Sequence, residues 1–399
     1  MQSSRLLRPA LVLQNTARQT PHLRTIATRL STRPFSTENS DRLKGPVSTE
    51  SQIPGMEAIK NTIAENLGKI IPGNELASAE NQFSLDAVPD LSGKVAVVTG
   101  GSEGIGYGCT HTLLKKNVKK LFILSQSDDI AADAIKAIKE EMGEETGNRV
   151  VWMKCDLSDW EETGRTAFKI AEQTDRIDIL INNAARGIMT YQLARNGVDL
   201  HMAINHFGHV VLTSHLLPIL KETAKKGKVR IVCTSSNLHE QTPSDTQFAS
   251  IDELNTDLGA QPQYARSKLA ALLYTKYLSR HLTPQHPNIL ANAIHPGIVE
   301  TRQSTEHIHE AFPLGGYAMS VGMAPFKKTQ FEGAVSTMYA ATMTEKSGQY
   351  ICPPAIVEKG SDKANDVELG ERLMDLTWKV VKEKTKSQSA DKGCPFRES

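Results

Sequence analysis

The stretch VAVVTGGSEGIG, Val95 to Gly106, decides how the rest of the chain is read. Five residues rich in valine form a short apolar run of the kind that makes a buried strand. They run straight into four glycines within seven positions, and an apolar helical pattern follows from residue 104 to 116. A strand that breaks on glycine and restarts as a helix is the context in which a glycine motif counts as a nucleotide turn. Gly100 permits the tight turn, Gly104 lets backbone approach a pyrophosphate, and Gly106 allows close packing of helix on sheet. The amides of Ser102, Glu103 and Ile105 and the positive helix end then face the phosphates. A glycine-rich strand end used only for packing is the alternative.

Outward from this turn, strand-like and helix-like segments alternate. Strands are expected at 95–99, 120–124, 150–154, 177–181, 229–233 and 289–294, and helices at 104–116, 129–142, 158–174, 197–221 and 263–282. A last amphipathic helix is expected in NDVELGERLMDLTWKVVKEK. Alternation of this kind gives right-handed crossovers and a parallel sheet covered on both faces. The expected fold is α/β, a single doubly wound Rossmann-type domain of about seven parallel strands over 90–385, followed by a polar tail over 386–399.

Near the end of this domain, QYARSKLAALLYTKYL places Tyr264 and Lys268 four residues apart. On a helix such a pair shares one face. A phenol is a poor base at neutrality, and a cation fixed beside it lowers its pKa toward the range of an acid-base catalyst. With eight tyrosines in the chain the spacing alone means little. The order of turn, Asn-rich strand end, Asn205, Ser236, then Tyr264 and Lys268 is what gives it weight.

That order and the pattern T-G-x-x-x-G-I-G, matched at every fixed position from Thr99 to Gly106, resemble the short-chain dehydrogenase/reductase family over roughly residues 90–380. The segments NHFGH and SSNLH resemble its retinol-dehydrogenase-like branch, and the N-terminal extension and SEGIGYGC turn resemble the fungal mitochondrial blue-light-inducible oxidoreductases within it. The resemblance implies an NAD(P)-dependent oxidoreductase acting on a small or lipid-like alcohol or carbonyl. It implies that Tyr264 exchanges the proton, Ser236 hydrogen-bonds the substrate oxygen, Lys268 lowers the Tyr264 pKa and binds the ribose, and Asn205 holds a water in a proton relay. Ser235 is the alternative to Ser236. Asp156 and Leu157 would meet the adenine; the alternative for Asp156 is an N-cap of the next helix, a role that Ser158 could equally take. Asn183 and Ala184 belong to a run in which Ala185 stands for the family's glycine. Pro296, Ile298 and Thr301 would meet the carboxamide. Ser125 stands where an acidic residue would select NAD. Ser127 stands where relatives often carry arginine, and the reading favours NADP over NAD.

The remaining sequence sets limits. A formal net charge of +1 gives no overall excess to suggest nucleic acid. Five scattered cysteines without C-x-x-C fit buried thiols in a reducing compartment, and His206, His209, His239 and His295 form no zinc cluster with them and read as core or rim residues. Residues 1–37 hold six arginines and no lysine, aspartate or glutamate, which fits a mitochondrial transit peptide ending near residue 35. A helical extension over 36–89 carries an apolar stripe at Met56, Ile59, Ile63, Leu67 and Ile70, read as packing on the domain and leaving peripheral membrane contact open. No apolar run reaches membrane-spanning length. Phe312, Leu314, Met319, Met323 and Phe326 would lid an apolar pocket, and homo-oligomers are common among relatives. A cofactor-binding sensor or scaffold is the competing reading. A nucleotide-sugar epimerase is disfavoured by the glycine spacing.

Overall fold

The computed structural model describes residues 83–297, 299 and 329–385. Eight strands form one sheet in the order β3-β2-β1-β4-β5-β6-β7-β8. They are β1 (Val95–Thr99), β2 (Lys120–Ser125), β3 (Val150–Lys154), β4 (Ile179–Asn182), β5 (Val229–Thr234), β6 (Ile289–Ile294), β7 (Tyr350–Cys352) and β8 (Ile356–Glu358). All neighbours pair in parallel except β7 with β8. The fold is the expected Rossmann-like one, with a short antiparallel edge strand added to seven parallel ones. The addition is three residues after Pro353-Pro354, too short to carry a period.

Helices cover both faces. They are α1 (Gly104–Lys115), α2 (Asp128–Met142), α3 (Trp160–Ala171), α4 (His209–Ala224), α5 (Ala260–His281), α6 (Gln330–Thr342) and α7 (Val367–Lys384). β1 and β4 are buried along their whole length, because a parallel sheet between two helical layers has no wet face. One apolar layer holds Leu113, Ile123, Ile138, Ile181 and Met338, and the opposite layer Phe122, Leu180, Leu216, Ile231 and Leu278. Asp159, not Ser158 or Asp156, caps α3, accepting from the amide of Glu162 at 2.9 Å.

The helix expected at 197–221 differs in detail. It opens at Leu200–Met202, widens into a π-helical turn over Ala203–Gly208, and continues as α4. Such turns recur at functional sites, since one extra residue re-aims the side chains and carbonyls around it. Asn205 sits inside it.

Strand order reverses between β1 and β4, so crossovers leave on opposite sides and a crevice opens at the carboxyl ends of the strands. Among the described residues, no helix is long and apolar enough to cross a membrane, and no group of three or more His, Cys, Asp or Glu is placed to hold a metal. Cys109, Cys155, Cys233 and Cys352 are buried free thiols. The leader, the apolar stripe from Met56 to Ile70, Ile298, Thr301, the apolar stretch from Phe312 to Phe326 and the tail lie outside the described residues.

Candidate active site

The glycine turn closes over the end of β1. Gly100 and Gly104 adopt positive φ, +64° and +54°, a region open to glycine at little cost. Gly106 faces the turn so closely that a Cβ on it would lie 2.0 Å from the Gly100 carbonyl oxygen and 2.7 Å from Asn183 Nδ2. Asn183 in turn donates from Nδ2 to the Thr99 carbonyl at 3.0 Å. Ser102 is buried, and Glu103 stands at the α1 N-cap without a side-chain capping bond. The amides at the start of α1 thus border a turn whose backbone approaches too closely for a Cβ at Gly106, which is a fit for a dinucleotide.

Other predicted cofactor residues fall along the same edge. Ser125 ends β2, and its hydroxyl accepts from the indole Nε1 of Trp152 at 2.9 Å. Asp156 and Leu157 follow β3. Asp156 Oδ1 accepts from both the amide and the hydroxyl of Ser158, each at 2.8 Å, while the Leu157 side chain is buried in the apolar layer. Asn183 and Ala184 follow β4, and Pro296 follows β6.

Ser235 and Ser236, adjacent at the end of β5, are separated by their bonds. Ser235 Oγ donates to the Lys268 carbonyl at 2.8 Å, tying strand to helix. Ser236 Oγ accepts from the Leu238 amide at 3.2 Å and donates to Asn237 Oδ1 at 3.4 Å, and the same side chain draws the Tyr264 phenol pKa down. Tyr264 and Lys268 share a face of α5, with Lys268 Nζ 5.4 Å from the phenol ring centre.

The electrostatics depart from the expectation that Lys268 lowers the Tyr264 pKa. Burial dominates and pushes the phenol up to about 12, and the opposing pull comes from the Ser236 hydrogen bond. The Lys268 ammonium is buried too, donates to the Thr234 carbonyl at 2.9 Å, and is brought down to about 8 by loss of water around it. At this geometry the cation is turned to the strand end instead of the phenol oxygen.

Asn205 is held by its side chain. Its Oδ1 accepts from the Arg186 amide at 2.7 Å, and its Nδ2 donates to the Arg186 carbonyl at 3.0 Å and to Ser267 Oγ at 2.8 Å. Ser267 Oγ donates to the Tyr264 carbonyl at 2.7 Å. Ser267 was not among the residues singled out in the sequence; its signal is a small polar residue between Tyr264 and Lys268 on a mostly buried helix. His239, read in sequence as a core or rim residue, is engaged at both ring nitrogens. Its Nδ1 lies 2.7 Å from the Ser236 carbonyl and its Nε2 accepts from the Ser361 amide at 3.0 Å. Burial brings its pKa down to about 4, so the ring is neutral.

A family model described as short chain dehydrogenase matches residues 94–311, more than half of the chain. The chain belongs to the short-chain dehydrogenase family. It is 48% identical over 98% of its length, and 95% of the other's, to a Neurospora crassa protein named "Putative oxidoreductase bli-4, mitochondrial". It is 30% identical to human polyprenol dehydrogenase over 77% of this chain and 90% of that one. Among solved structures, the Pseudomonas aeruginosa RhlG/NADP active-site complex shares the fold, with a TM-score of 0.51 and 23% identity over 66% of this chain and 96% of that one.

Proposed function

We propose that this protein is a mitochondrial NAD(P)-dependent oxidoreductase, favouring NADP, which interconverts an apolar alcohol and its carbonyl compound with Tyr264 as the acid-base group. The observation that carries the reading is the Ser236 side chain acting on the Tyr264 phenol, with Lys268 one helical turn on, at the end of the sheet that carries the glycine turn. When bound, the nicotinamide supplies or accepts the hydride. The glycine turn and Asn183 hold the nucleotide, and Ser236 and Tyr264 both address the substrate oxygen.

A phenol that keeps its proton to about pH 12 is a donor at neutral pH. In carbonyl reduction Tyr264 protonates the developing alkoxide while Ser236 shares its charge. The phenolate left behind gains from the Ser236 hydroxyl.

Support for NADP comes from Ser125: no carboxylate stands there to grip a 2'-hydroxyl or repel a 2'-phosphate, and the hydroxyl is already engaged by Trp152. Glu103 weighs on the other side. The arginine-rich, acid-free leader and the relative named mitochondrial support the location. The polyprenol dehydrogenase relative supports a lipid-like substrate.

The test is a screen of the purified protein with aldehydes and ketones of increasing chain length, following NADPH and NADH absorbance. The reading expects kcat/KM to rise with apolar length and to be higher with NADPH. Preference for short hydrophilic aldehydes would sink the apolar assignment, and absence of turnover with every pair would sink the enzymatic one.

A further inference from the structure

The Thr99 hydroxyl, where β1 meets the glycine turn, accepts from the amides of Asn183 and Ala184, each at 2.9 Å. A hydroxyl oxygen offers two acceptor positions, and both are filled. Its single proton then goes to Nε2 of His209 at 2.9 Å, a better partner than the Ile181 carbonyl at 3.5 Å. This count assigns the tautomer. Nε2 accepts, so Nδ1 carries the proton and faces the Asn205 carbonyl 3.3 Å away.

The ring is buried, and burial, aided by the nearby Lys268 cation against the pull of the Asn205 carbonyl, takes its pKa down to about 3. It therefore stays neutral and keeps one donor and one acceptor. Asn205 lies in the π-helical turn, and its side chain reaches Ser267, which reaches Tyr264. Hydrogen bonds on either side of Asn205, to its backbone carbonyl from His209 and from its side-chain amide to Ser267, thus join the nucleotide turn to the helix of Tyr264.

We propose that His209 is a positioning residue for the oxidoreductase site, coupling the order of the glycine turn to the placement of Asn205 and, through Ser267, of Tyr264. The inference rests on the functional reading above. A packing histidine needs only its volume, whereas a coupling histidine needs both nitrogens. Phenylalanine keeps the volume but removes the better acceptor of the Thr99 proton, leaving only the Ile181 carbonyl at 3.5 Å, and the ring donor to the Asn205 carbonyl; glutamine retains an acceptor and a donor.

The experiment uses the full-length protein and its His209→Phe and His209→Gln variants, with NADPH affinity from fluorescence titration and turnover on an aldehyde that the wild type reduces. Coupling predicts that H209F weakens affinity and lowers kcat, each about 10-fold, since small misplacements at a reacting centre are costly. It predicts that H209Q recovers both to within about threefold, because it satisfies the same two partners. Affinity and kcat unchanged in H209F, or H209Q no better than H209F, would overturn it. Should H209F fail to fold, nitrogen-15 spectra of the wild-type histidines decide. A His209 signal, assigned by its loss in H209Q, is expected as the neutral Nδ1–H tautomer and to shift on NADPH addition. An imidazolium, the other tautomer, or a signal indifferent to NADPH would overturn the proposal. A wild type that neither binds NADPH nor turns over would sink the functional reading instead, and the tautomer would still report on the network.

Discussion

Gly106→Ala puts the nucleotide turn to a quantitative test. The added Cβ would lie 2.0 Å from the Gly100 carbonyl oxygen, whereas real Cβ contacts essentially never fall under 3.0 Å, so α1 and the turn must part by about 1 Å. Neither partner is a flexible side-chain tip: the nearest atoms are the Gly100 carbonyl oxygen and carbon, then Asn183 Nδ2, itself tied to the Thr99 carbonyl. Overpacking of this kind costs about 1–3 kcal/mol of stability. The functional loss should be larger in proportion, because a displacement of about 1 Å in a positioned site costs on the order of 100-fold. The assay is NADPH affinity by fluorescence titration beside urea unfolding. Gly227→Ala serves as the control, since its Cβ would meet nothing nearer than Lys94 Nζ at 3.8 Å. Affinity in G106A within threefold of wild type would refute the assignment of this turn as the nucleotide cradle.

Other perturbations separate site from scaffold. Ser235→Ala should cost about 1 kcal/mol of stability and leave kcat nearly unchanged, whereas Ser236→Ala should lower kcat by about 100-fold; equal kcat effects would contradict the division of labour. Asp178, at the amino-terminal ends of the central strands β1 and β4, accepts from Arg176 at 2.7 Å, Lys94 at 3.1 Å and the Val95 amide at 3.0 Å. Burial alone would raise its pKa, but these donors outweigh it and hold the carboxyl below its usual range. Asp178→Ala should lose about 2–3 kcal/mol in urea unfolding, the low end for a buried ion because Arg176 and Lys94 can turn to water, and NADPH affinity should hold. Stability should also fall in mild acid. His206 and His209 are brought down to about 3 and His239 to about 4, in each case chiefly by burial. Their stabilisation is complete above the unfolded value near 6.5 and is lost as pH falls toward the folded values, with a limiting slope of about 4 kcal/mol per pH unit. Melting temperatures from pH 8 to 4 check this, and a flat profile between 7 and 5 would contradict it.

The fold was legible because its signals are local. A valine run ending on glycine at 95–106 and five further apolar runs separated by helical patterns carry the parallel sheet on their own. The β7–β8 edge was not, since two three-residue strands around Pro353-Pro354 lack a countable period. At the site, Ser236, Tyr264 and Lys268 could be picked out by order and spacing, but their electrostatics could not. Spacing says that an ammonium shares a helix face with a phenol; burial of both groups and the Thr234 carbonyl that captures Lys268 are products of tertiary packing. For the same reason His209 and His239 read in sequence as core histidines. They are buried, yet what distinguishes them is that both ring nitrogens are engaged, with partners from 3 to 122 residues away.

Tyr264→Phe tests the central claim most directly. The variant keeps the ring and its packing and removes the hydroxyl whose pKa the Ser236 side chain draws down. The account predicts NADPH affinity within twofold of wild type and aldehyde reduction lowered by about 1,000-fold or more, the contribution of a positioned general acid. Turnover within tenfold of wild type, with affinity intact, would contradict it.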